Sequence, residues 1–176
     1  QSVVDPEVSD VVAKLKARRG GGPELLAYKG VRAGRPAWVD IASDDINTYI
    51  RDRSGLECSA KDFRTWNATV LAAVALAGAA GAKSGRGRAR GITRAMEEVA
   101  QYLGNTPAVV RKSYVDPRVV DRYLSGETIS SALGASDLGS CAPGAGTTAG
   151  QPAIQGTVEL AVLDLLDPAA ETERAA

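Results

Sequence analysis

Three times in its first 120 residues this chain sets a capping side chain directly before a proline: Asp5-Pro6, Thr106-Pro107 and Asp116-Pro117. A short polar side chain in that place accepts a hydrogen bond from a backbone N–H two or three residues on. Proline at the first helical position gives up only an N–H that has no partner within the helix. Each pair therefore predicts a helix start, and Gly20, Gly55 and Gly104 predict stops. Punctuation this dense confines the chain to short, separately capped helices, and so to a mainly α fold. The exception is a pair of extended pieces, Leu25 to Tyr28 and Ala37 to Ile41, on either side of a turn rich in Gly and Arg, which predicts a small β-hairpin.

Between these marks the apolar spacing gives the faces. Val8, Val11, Val12 and Leu15 form one stripe of the first helix, read as scaffold, and Ser43-Asp44-Asp45 opens a second through Ile46, Tyr49 and Ile50. Ser59 and Asp62 have the spacing of a capping box. The helix they begin carries Phe63, Trp66, Val70 and Val74 three or four residues apart, which predicts one buried face, with Arg64 beside it in the first turn. Residues 78–91 hold Lys83, Arg86, Arg88 and Arg90 among glycines and are expected to be a flexible basic loop, suited to a polyphosphate backbone. Helices are expected from Ile92 to Leu103, from Pro107 to about Tyr114, and from Pro117 through Tyr123. Beyond Gly126 the composition shifts to Ser, Gly, Ala, Pro and Thr, so residues 128–154 read as a loose linker before one short apolar helix, Thr157 to Leu166.

Several kinds of chemistry are excluded. The sequence has no histidine, which removes Ser-His-Asp and Cys-His catalysis within the chain. Its two cysteines, Cys58 and Cys141, form neither a disulfide framework nor a zinc pattern. The longest apolar run, Val70 to Ala82, is too short and too rich in Ala and Gly to span a membrane. The chain opens on Gln1 rather than Met, which reads as a piece of a longer protein.

Charge is distributed unevenly. Residues 61–123 carry eleven basic and five acidic side chains, and residues 124–176 carry one basic and seven acidic, so a net +6 block precedes a net −6 tail. A phosphate-binding surface requires such a block, and a solvated basic face balanced by an acidic tail is the plainer alternative. Two segments within the block stand out: Lys61-Asp62-Phe63-Arg64-Thr65-Trp66, and Leu103-Gly104-Asn105-Thr106-Pro107 running on to Arg111-Lys112-Ser113-Tyr114. Taken alone, the second is only a capped helix with Val109, Val110 and Tyr114 on its apolar face.

Taken together and in this order, the two segments resemble the catalytic domain of bacterial DNA topoisomerase IB, the poxvirus-like type, over roughly Gln1 to Tyr123. The resemblance implies the helical catalytic core that these topoisomerases share with tyrosine recombinases. Residues 1–126 would form the catalytic domain, without the amino-terminal domain that closes around DNA, and residues 127–176 a flexible low-complexity tail. It implies relaxation of supercoiled duplex DNA by nicking and rejoining through a 3′-phosphotyrosyl link, with neither metal nor ATP as cofactor. The enzyme would act as a monomer on double-stranded DNA in the bacterial cytoplasm, with no membrane and no obligate protein partner.

By motif position Tyr114 would be the nucleophile, Arg64 the ligand of the nonbridging phosphate oxygens, and Asn105 a hydrogen-bond donor where many relatives carry histidine. Lys61, Lys83, Arg86, Arg88, Arg90, Arg111 and Lys112 would contact DNA. The chemistry suits these residue types. A free phenol has a pKa of about 10, so a tyrosine nucleophile needs neighbouring positive charge or a base. A planar guanidinium fork matches the equatorial oxygens of a pentavalent phosphorus. The resemblance places a second arginine and a general-acid lysine upstream of Gln1, and neither Lys14 nor Lys16 has a matching context, so the chain alone is expected to be impaired. Two alternatives stand beside this reading: a tyrosine recombinase or integrase, and a helical DNA-binding module without catalysis.

Overall fold

The computed structural model describes residues 6–82, 84–131 and 156–167. The expected cap Asp5 and most of the expected linker lie outside the described residues, as does Lys83. The chain forms two compact units, divided between Asp62 and Phe63.

The first unit holds α1 (Pro6–Lys16), β1 (Ala27–Arg32), β2 (Arg35–Asp40) and α2 (Ser43–Ser54). The strands pair antiparallel from Ala27 opposite Asp40 to Arg32 opposite Arg35. They are joined by Ala33 and Gly34 alone, both at positive φ (51° and 74°). A two-residue connection of this hand matches the natural twist of a hairpin. Most of the segment expected to be turn is therefore strand. Arg18 organises the loop after α1: its guanidinium donates to the carbonyl oxygens of Leu15, Gly22, Glu24 and Leu25 and lies 5.8 Å from the Trp38 ring centre. At α2 the Asp45 carboxylate accepts the Ala42 N–H at 2.8 Å, and Gly55 ends the helix in the left-handed conformation.

The second unit is built around α3 (Ala60–Gly78), whose start lies in the first unit. Asp62 accepts both the backbone N–H and the hydroxyl of Ser59, at 2.8 and 2.7 Å, and these bonds hold its carboxyl below the usual range. From Ala68 to Ala77 every α3 residue but Ala75 is buried, so the helix is enclosed on all sides rather than along one stripe. The Ala-rich composition allows this, because small side chains let other helices approach closely. Phe63 departs from expectation: it is 58% exposed, since burial begins more than a turn further on. Helical periodicity identifies a face but not where the partners of that face run out.

Around α3 pack α4 (Gly85–Leu103), α5 (Pro107–Ser113), α6 (Pro117–Ser125), a 3-10 turn (Ile129–Ser131) and α7 (Thr157–Leu166). The caps read from sequence form as expected: Thr106 accepts from the N–H of Val109, Asp116 from that of Arg118, and Gly104 adopts a left-handed stop; Gly126 ends α6 in the same way. The expected basic loop is overturned as well. Residues 85–90 are not a loop but the first turns of α4, with the Ser84 hydroxyl accepting the Gly87 N–H at 3.0 Å. The glycine cost of about 1 kcal/mol per residue is offset by this cap and by the stripe Ile92, Ala95, Met96, Val99 and Ala100. Gly91 is also required, because a Cβ there would lie 2.6 Å from the Tyr123 hydroxyl oxygen.

The helix expected at the end of the chain forms, and it belongs to the core. Val158, Ala161, Val162, Leu165 and Leu166 are buried. Arg118 and Arg122 of α6 donate to the Leu166 and Leu165 carbonyl oxygens, each at 3.1 Å. Two guanidinium groups thus meet the negative end of the α7 dipole and satisfy carbonyls that have no partner within the helix. A flexible tail over 127–176 does not describe this segment.

Candidate active site

Three residues singled out in the sequence meet in the second unit. Arg64, in the second turn of α3, donates through Nη2 to the Leu103 carbonyl oxygen at 2.6 Å and to Asn105 Oδ1 at 2.9 Å. Its guanidinium carbon lies 5.3 Å from the centre of the Tyr114 ring. Tyr114 is half-buried against the core as the residue that ends α5.

Local sequence explains why they meet. Gly104 turns the chain out of α4 with φ 67°, and its N–H and that of Asn105 both return to the Ala100 carbonyl. This leaves the Leu103 carbonyl pointing outward at the negative end of a 19-residue helix, where a cation is favoured. Asn105 follows immediately, and Thr106-Pro107 restarts the helix that ends at Tyr114. A single glycine thus sets the docking point of Arg64 and the position of Asn105.

The second anchor is Thr69, the only buried polar residue among the described residues. Its hydroxyl donates to the Thr65 carbonyl at 2.9 Å, accepts the Asp116 N–H at 3.1 Å, and lies 3.4 Å from the Tyr114 carbonyl oxygen. Asp116 in turn caps α6, and the Arg118 guanidinium on it holds its carboxyl below the usual range. Near the same end of α3, the Trp66 indole donates to Glu159 of α7 at 2.9 Å. Neither Thr69 nor Glu159 was identified from sequence. A lone hydroxyl on the apolar run of α3 was the available signal for Thr69, whereas nothing local pointed to Glu159.

The basic residues divide by environment. Lys61, Arg86, Arg90, Arg111 and Lys112 are exposed. Arg88 is engaged inside the fold: it donates to the Leu124 carbonyl at 2.7 Å and to the Ala82 carbonyl at 3.4 Å. Lys83 lies outside the described residues. Among the described residues no acceptor meets the Nε or Nη1 of Arg64. The arrangement therefore offers a phenol beside a guanidinium that is held through Nη2 and keeps donors open on Nε and Nη1. Such a pair can bind an anionic tetrahedral centre and present an oxygen nucleophile to it.

The model of a family described as the eukaryotic DNA topoisomerase I catalytic core matches residues 1–129. A DNA topoisomerase 1B of Acanthamoeba polyphaga mimivirus is 33% identical over 106 residues, covering 58% of this chain and 32% of that protein. The chain thus spans about a third of the length of the curated relative it matches.

Proposed function

The chain belongs to the family of the eukaryotic DNA topoisomerase I catalytic core, and from that premise we propose that it carries the nucleophile of a type IB DNA topoisomerase acting on duplex DNA. The observation that carries the reading is the meeting of Arg64, Asn105 and Tyr114, brought from two helices and a turn to one place.

In this reading the Tyr114 phenol oxygen attacks a backbone phosphorus. A phosphorus–oxygen bond to tyrosine forms, the bond to the 5′ oxygen breaks, the phenol gives up its proton and the departing 5′ oxygen takes one. Arg64 neutralises the charge gathering on the equatorial oxygens, and Asn105, fixed against Arg64 through its Oδ1, directs its amide NH2 as a donor. One phosphodiester is exchanged for another ester of similar energy, so rejoining needs no ATP. These three residues supply no acid for the departing oxygen; that role is assigned, as the resemblance implies, to a lysine upstream of Gln1.

Residues 1–126 carry the proposed catalytic region, with α7 folded against α3 and α6. The proposal extends to the bacterial, poxvirus-like type, which Asn105 in place of histidine supports, and to a monomer acting in the cytoplasm. Among the described residues no helix is long and apolar enough to cross a membrane.

The test is relaxation of supercoiled plasmid by the protein at its full natural length, in chelator and without ATP. Relaxation of plasmids that share no particular site is expected, and a requirement for one defined site would instead favour a recombinase. The basic residues give a second expectation. Arg86→Gln with Arg90→Gln should lower the slope of log affinity against log salt by about 1 to 2, on the scale of about 0.9 per phosphate contact. Arg88→Gln should leave that slope unchanged and lower the melting temperature, because its partners are carbonyls of the fold. Salt-series binding together with thermal melts would separate the two roles.

A further inference from the structure

We infer that Thr69 is a positioning residue for the nucleophile: its buried hydroxyl ties the backbone beside Tyr114 to the backbone beside Arg64. The inference rests on the reading of Tyr114 as nucleophile and adds a residue to it. Thr69 is 2% exposed and lies on α3 a turn beyond Arg64. A threonine hydroxyl has one proton and two lone pairs, and here the neighbours account for its use. The proton goes to the Thr65 carbonyl, at 2.9 Å the nearer of two acceptors, and one lone pair takes the Asp116 N–H at 3.1 Å. The Tyr114 carbonyl oxygen, 3.4 Å away, is the alternative acceptor.

The consequence is geometric. Tyr114 follows the last residue of α5, and Asp116 is the cap of α6, so Tyr114 and Val115 form a two-residue joint between helices. The N–H groups of this joint tie it to α5 and not to α3. The Tyr114 and Val115 N–H groups both return to the Val110 carbonyl, and Val115 packs in the core, but among the described residues the hydrogen bond that reaches α3 is that of the Asp116 N–H to Thr69. Arg64 is attached to the same helix and meets the Tyr114 ring from it. Thr69 therefore fixes the distance between nucleophile and guanidinium through two backbone contacts, without touching substrate. Reacting atoms must be held within a few tenths of an ångström for in-line attack, and a misplacement of about 1 Å can cost on the order of a hundredfold in rate.

A hydroxyl that served only to hold the fold together would affect stability and nothing more. The two roles separate on the rate of covalent adduct formation at saturating DNA, measured in single turnover with the protein at its full natural length. Thr69→Val keeps shape and removes the hydroxyl; it is expected to slow adduct formation at least about tenfold, with DNA affinity changed less than about twofold. Thr69→Ser is expected to restore the rate to within about threefold of the parent. Leu76→Ala, a core truncation at the opposite end of α3 and roughly 18 Å from Arg64 along its axis, sets the effect of lost stability alone. A Thr69→Val rate no lower than that of Leu76→Ala overturns the inference. Should the valine variant not fold, Thr69→Cys takes its place, since a thiol is a weak donor and acceptor. A serine variant no faster than the cysteine variant then overturns it. The underlying reading fails separately, if Tyr114→Phe still forms the adduct.

Discussion

Tyr114→Phe is expected to reduce covalent attachment to DNA by at least about a thousandfold, while leaving the fold and DNA affinity close to those of the parent. The substitution removes one oxygen. The ring remains, and it is the ring that packs half-buried against the core and lies 5.3 Å from the Arg64 guanidinium. No hydrogen bond of the fold depends on the hydroxyl among the described residues: Tyr114 is tied in by its backbone, through its N–H to Val110 and its carbonyl near Thr69. The expected loss is therefore almost wholly chemical. The measurement is a suicide substrate, a duplex nicked so that the leaving strand diffuses away, with the adduct resolved by denaturing gel. Adduct from the parent and none from the variant removes the non-catalytic DNA-binding alternative. Adduct from the variant at the parent's rate would show that another residue is the nucleophile.

Local features of this fold were legible where the causes are local. Thr106-Pro107 and Asp116-Pro117 announce helix starts because a cap is a bond between residues two or three apart, and the structure forms both. Gly104 announces a stop because a left-handed backbone is cheapest for glycine. The failures have long-range causes. Residues 85–90 read as a loop because glycine disfavours helix, yet Gly91 is there to admit Tyr123 from α6. Phe63 read as buried because its spacing matches Trp66 and Val70, yet it is exposed, because the buried run of α3 begins only at Ala68. The last helix read as an appendage because its partners, Trp66, Arg118 and Arg122, lie far back in the chain and leave no mark on local pattern.

The site divides in the same way. Residue types and motif order suggested Arg64, Asn105 and Tyr114 through resemblance, and the structure brings them together. What sequence did not disclose is the support: the Leu103 carbonyl exposed by Gly104, and the Thr69 hydroxyl between two helices. Both act through the backbone, and a backbone contact is largely independent of which side chain its residue carries.

Arg64 gives the second large effect, and its two functions can be told apart. Nη2 is committed to the Leu103 carbonyl and to Asn105, which leaves Nε and Nη1 for phosphate oxygens. Arg64→Ala removes both functions and is expected to slow adduct formation by about a hundredfold to a thousandfold, the range for losing a charge-stabilising donor. DNA affinity should fall only a few-fold, since the contact strengthens as charge accumulates on the oxygens in the transition state. Arg64→Lys keeps the positive charge, but an ammonium presents its donors from one nitrogen. It cannot hold the carbonyl and Asn105 while also presenting separate, rigidly oriented donors to a phosphate. Lysine is therefore expected to recover less than about tenfold of the lost rate. Single-turnover rates at saturating DNA, with affinity measured separately, decide the point. Equal losses in rate and affinity would reassign Arg64 to ground-state binding, and full rescue by lysine would show that charge alone, without the fork, is what the site requires.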